Sequence, residues 1–80
     1  MPVNDDKLKE AIADVMGIPV ETVTEKTSAA TLEKWDSLRH LQLILTLEEA
    51  FEVSFTESEV VTMFDYVAIQ KALERHGVHF

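Results

Sequence analysis

The run from Asp36 to Phe51 constrains this chain more than any other stretch. Leu38, Leu41, Leu43, Ile44, Leu45, Leu47, Ala50 and Phe51 recur in it at helical spacing, behind an aspartate of the type that caps a helix. On a helical wheel most of these fill an arc wider than half the circumference, whereas one buried stripe needs only about 100° or a little more. The segment is therefore the central helix of its fold.

The remaining segments are arranged around it. Leu8, Ala11, Ile12, Val15 and Met16 define a first helix, with Asn4 or Asp5 as its cap and Gly17 as its stop before Pro19. From Ile18 to Trp35 the periodicity fades among Pro19, Thr22, Thr24, Thr27, Ser28 and Thr31, which predicts a long ordered loop pinned by Ile18, Val20, Val23 and Leu32. Val53 and Phe55 return to the core, and Thr56 with Glu59 fits a capping box opening a short third helix over about Glu57 to Thr62. Asp65 caps a fourth helix carrying Tyr66, Ile69 and Leu73 until Gly77, which leaves Val78-His79-Phe80 as a frayed tail. The expected fold is all-α: a small four-helix bundle with a long loop between helices one and two. It forms a single domain over 1–80, with a core of about 5–76 and a tail of 77–80.

Composition excludes several functions. Eighty residues without a cysteine hold together by packing alone, with no disulfide or cysteine-held metal, and suit a reducing cytoplasm. Met1 to Asp6 lacks the basic and apolar regions of a secretion signal. The longest apolar stretch, Leu41 to Leu47, is interrupted by Gln42 and Thr46, so a cytoplasmic protein that does not cross a membrane is expected. Fifteen acidic against seven basic residues give a net charge of -8, which repels nucleic acid and favours protein partners carrying Lys or Arg patches.

The stretch with chemistry in it is Trp35-Asp36-Ser37-Leu38. It sets a serine hydroxyl on the first turn of the central helix, where unpaired backbone N–H groups and the helix dipole favour a phosphate ester. Asp36 opposes such an ester by charge, which points it to a different role, either capping the helix or holding a metal ion during attachment. The tripeptide Asp-Ser-Leu alone is no more than a helix start.

The wider pattern is specific. Asp36-Ser37-Leu38 is followed by Leu41, Leu43-Ile44, Leu47-Glu48-Glu49 and Phe51-Glu52-Val53, and this pattern resembles the acyl carrier protein family over roughly residues 5 to 76. The resemblance implies a carrier, not an enzyme. A separate phosphopantetheinyl transferase would move phosphopantetheine from coenzyme A onto Ser37, and acyl or aminoacyl groups would ride on the arm's thiol. Asp36 would help that transferase place its magnesium ion, and Leu38 would touch partner enzymes. Acyl-loading and acyl-using enzymes with basic docking patches are the implied partners. Leu41, Ile44, Leu45 and Leu47, with Phe55 and Met63, would part to shelter a short acyl chain; core packing explains the same residues.

Two departures from the family pattern point to a specialised carrier. Glu33-Lys34 stands where a Leu-Gly pair is frequent, with Trp35 next to the aspartate. Arg39-His40-Leu41-Gln42 stands where the carrier of general fatty acid synthesis has acidic residues, so Trp35, Arg39 and Gln42 join the expected partner contacts. The pathway stays open among fatty acid, polyketide, peptide and cell-surface glycan synthesis.

Competing readings are weaker. Ser37 with His40 on one helical face resembles a nucleophile and base, but no glycine-rich loop or oxyanion hole accompanies them, and His40 reads as a surface or half-buried residue whose titration tunes docking. His76 and His79 lack a third ligand, so no metal is expected. An unmodified acidic helical interaction module is the remaining alternative. Without a heptad seam the chain is expected to be a monomer.

Overall fold

A computed structural model of the chain describes residues 3–80. Four helices follow one another: α1 (Val3–Met16), α2 (Ser37–Phe51), α3 (Glu57–Val60) and α4 (Tyr66–Arg75), with a single 3-10 turn at Val20–Thr22 in the long loop. No strand forms among the described residues; Ser28 and Asp65 meet in one isolated antiparallel bridge, where Tyr66 donates to the Thr27 carbonyl at 2.9 Å and Ala29 to that of Phe64 at 2.8 Å. None of these helices is long and apolar enough to cross a membrane.

The core is one cluster. Leu8, Ile12 and Met16 of α1, Leu43 and Leu47 of α2, Met63, and Tyr66, Ile69 and Leu73 of α4 are the largest fully buried side chains, each worth about 1.5–3 kcal/mol of burial. Within the long loop Val23 is buried and Ile18 and Leu32 pack against the cluster, while Val20 stays exposed.

The helix ends explain the boundaries. The Asp36 carboxylate accepts from the backbone N–H of Arg39 at 2.9 Å and the Asp65 carboxylate from that of Ala68 at 2.7 Å. Thr56 and Glu59 form the expected capping box, although α3 closes at Val60, two residues short of the sequence reading. Gly17 and Gly77 take positive φ of 67° and 89°, and Ile18 and Val78 donate back to Ala13 and Leu73 in the Schellman pattern. At the end of α2 the left-handed position falls to Glu52, at φ 55°.

Two further sequence expectations are corrected. Helix α1 already includes Val3, so Asn4 and Asp5 lie inside its first turn instead of capping it. Asn4 donates from Nδ2 to the His79 carbonyl at 2.8 Å, and Asp5 accepts the Tyr66 hydroxyl. The 77–80 tail is not frayed: Val78 and Phe80 pack on the core, and the Phe80 ring lies 6.4 Å from that of Phe51. The Schellman turn at Gly77 reverses the chain and brings these apolar residues back to the bundle.

Candidate functional site

Ser37 is the first residue of α2 and is exposed; among the described residues its Oγ has no hydrogen-bond partner. Asp36 serves the Arg39 N–H and its carbonyl accepts the His40 N–H at 2.8 Å, so the N–H groups of Ser37 and Leu38 point out unpaired. An exposed hydroxyl beside unpaired donors at the positive end of a long helix fits a phosphodiester.

Cations from two other segments hold this turn in place. Helix α1 has no basic residue in its last turn, and its carbonyl end is served from outside. The Arg39 guanidinium donates to the Val15 carbonyl at 2.9 Å and the Lys34 ammonium to that of Gly17 at 3.3 Å. The negative end of α1 thereby anchors both the loop just before the turn and the residue just inside α2. Arg39, expected to face partner enzymes, spends its guanidinium on this bond.

Trp35 is also turned inward, at 5% exposure, and this corrects its place among the partner contacts. Its indole N–H donates to His40 Nδ1 at 3.0 Å. The other ring nitrogen of His40 lies 2.8 Å from the Val60 carbonyl at the end of α3, and the ring stacks on Phe64 with centroids 3.9 Å apart and planes at 11°. Because Nδ1 accepts, Nε2 carries the proton and donates to Val60. His40, read from sequence as a surface or half-buried residue tuning docking, is 4% exposed and joins α2 to α3. With both nitrogens engaged and the ring buried, it is not placed to take a proton from the exposed Ser37 hydroxyl, which removes the nucleophile-and-base reading.

The six residues expected to line an acyl pocket do not share one face. Ile44, Leu47 and Met63 are buried in the core and Phe55 is half-buried. Leu41 and Leu45 project into solvent at 56% and 63% exposure, and with Leu38 at 66% they make an apolar stripe on α2 directly after Ser37. Gln42 is exposed beside it. Sequence reasoning missed Lys34, Phe64 and the link to Val60; the only available signal was an aromatic residue standing immediately before a helix cap.

His76, near the carboxyl end, also has a partner. Glu59 lies 2.9 Å from His76 Nε2 and 3.4 Å from Arg75 Nε, which clips α3 to the end of α4. Among the described residues no group of three potential ligands is placed to hold a metal ion.

Comparison with known proteins bears on the same turn. The family model described as the phosphopantetheine attachment site matches residues 6–76. An acyl carrier protein of Syntrophobacter fumaroxidans is 32% identical over 72 residues, covering 82% of this chain and 89% of that protein. With four helices, a free serine opening the second and these matches, the chain belongs to the acyl carrier protein family, whose covalent prosthetic group is phosphopantetheine.

Proposed function

We propose that Ser37 carries the phosphopantetheine arm, and that the chain holds acyl or aminoacyl groups as thioesters and delivers them to separate biosynthetic enzymes. The exposed, unbonded Ser37 hydroxyl on the first turn of α2 carries this reading. The chain is the substrate of attachment, not its catalyst. In that step Ser37 Oγ forms a bond to the phosphorus nearest the pantetheine of coenzyme A. The pyrophosphate P–O bond breaks, adenosine bisphosphate leaves, and the serine proton passes to a base on the transferase. The attached arm supplies a terminal thiol for thioester exchange.

The residues around Ser37 divide the work. Asp36 fixes the first turn by capping and stands free on its solvent side to meet the transferase's magnesium ion. Leu38, Leu41 and Leu45 offer partner enzymes an apolar surface next to the arm, while Glu48, Glu49 and Glu52 follow toward the far end of α2. A partner with an apolar groove near its active-site mouth and a basic patch farther along matches that order. Gln42, exposed beside that stripe where the general fatty acid carrier has acidic residues, supports a specialised carrier, with the pathway open among fatty acid, polyketide, peptide and cell-surface glycan synthesis. Incubation with coenzyme A, magnesium and a broad-specificity transferase should add the mass of one arm; an unchanged mass would leave the chain an unmodified interaction module.

A further inference from the structure

We propose that the acyl group stays outside the bundle, because His40 bolts α2 to α3 where a chain would have to enter; the carrier is built for acyl groups short or polar enough to remain in water. The inference rests on Ser37 bearing the arm. It names the class of cargo for that site.

The side chains that would line an interior pocket are already used. Ile44, Leu47 and Met63 are buried against one another and the rest of the core, while Leu41 and Leu45 point away from it. An acyl chain entering between α2 and α3 must displace the first three and gains nothing from the other two.

Entry also requires α3 to swing away from α2, and polar bonds oppose this. His40 reaches Val60 at one end of α3 and holds Trp35 behind it. Separation would cost the buried His40 ring N–H and the part-buried Val60 carbonyl their bond to each other. Phe64 covers the outer face of the ring. Before the other end of α3, the Phe55 N–H donates to the Glu48 carboxylate at 2.8 Å, and Glu59 fastens the helix to Arg75 and His76. The short helix is therefore held before its start, along its length and at its end.

Two clefts near α2 are poor substitutes. One of about 410 Å³ is bordered by Leu45, Val53 and Ser54, but also by Glu48 and Glu49, whose carboxylates an alkyl chain would strip of water. Another, of about 700 Å³, lies between α1 and α2 on a different side of the bundle and takes in Lys7, Glu10 and Asp14.

The test loads the full chain from acetyl-, hexanoyl- and decanoyl-coenzyme A with the transferase, and confirms each product by intact mass. Methyl NMR shifts of Ile44, Leu47 and Met63 are then recorded, along with the rate of thioester cleavage by hydroxylamine. The core methyl signals should be unchanged across the series and the cleavage rate should stay within about twofold, as for a thioester in water. Core shifts that grow with chain length, together with slower cleavage of the decanoyl form, would overturn the proposal while leaving Ser37's role intact. Failure to gain any arm would remove both. In His40→Leu the bolt is gone, and the decanoyl chain should now move the core signals. A folded His40→Leu protein as insensitive as the wild type would show that His40 is not what closes the cleft. The wild-type series decides the main claim whether or not that variant folds.

Discussion

The indole N–H of Trp35 donates to Nδ1 of His40 at 3.0 Å, linking the residue before the α2 cap to the buried face of that helix. Through the second ring nitrogen the link continues to Val60 at 2.8 Å, so the serine turn and α3 share one polar connection through the core. Trp35→Phe removes the donor and leaves His40 Nδ1 buried without a partner. Urea denaturation should show a loss of about 1–3 kcal/mol, and nitrogen NMR of the wild type should show His40 as the Nε2–H tautomer. The opposite tautomer would contradict the link.

Arg39 is an anchor before it is a partner contact. Arg39→Glu loses the bond to the Val15 carbonyl and sets a carboxylate against the negative end of α1, so it should destabilise by about 1–2 kcal/mol. Gln42→Glu, at an exposed position on the same helix, should change stability by less than about 0.5 kcal/mol. Thermal melts of the two variants check this. A change of partner preference is therefore read more cleanly from Gln42→Glu. Equal melting temperatures of the two variants would show that Arg39 does no anchoring.

Glu59 sets the acid limit of the fold at α3. The Thr56 backbone N–H first, then His76 and Arg75, hold its carboxyl down from an ordinary 4.5 to about 2. A depressed carboxyl stabilises the folded state fully above about pH 4.5, and that contribution is lost as the pH falls toward 2. Melting temperature against pH should accordingly fall less steeply over this range in Glu59→Gln than in the wild type. Parallel curves would show that Glu59 makes no such contribution.

Glu52 holds a left-handed backbone conformation that disfavours a side chain, at φ 55°. Glu52→Gly keeps the turn, relieves that cost and removes one of fifteen acidic charges from a chain of net charge -8. The variant should gain about 0.5–1 kcal/mol of stability in urea titrations. A loss would mean that the Glu52 side chain supplies a contact worth more than the conformational relief.

What the sequence reveals and what it hides divide by the range of the interaction. The caps at Asp36 and Asp65 and the Thr56–Glu59 box involve residues three apart, so they are readable from spacing alone. The outward turn of Leu41 and Leu45 is not: an apolar arc wider than half a helix does not show which edge its neighbours leave uncovered. Sequence alone places His40 at the surface or half-buried and misses its full burial, because its partners Trp35, Val60 and Phe64 come together only in the folded chain. It misplaces the tail for a similar reason, since Gly77 ends α4 locally while Phe80 finds Phe51 at long range. The position of Ser37 is readable, because it depends only on the helix start and the Asp36 cap beside it.

The central claim is that the Ser37 hydroxyl accepts the arm, and the most direct measurement is intact mass of wild type and Ser37→Ala after the same incubation with coenzyme A, magnesium and transferase. Ser37→Ala removes one exposed, unbonded hydroxyl and leaves the Asp36 cap in place, so the variant should remain folded, with stability within about 1 kcal/mol of the wild type. The wild type should gain one phosphopantetheine and the variant none, with peptide mapping placing the addition at Ser37. A folded Ser37→Ala protein that still gained the arm, or a wild type that never did, would contradict the assignment.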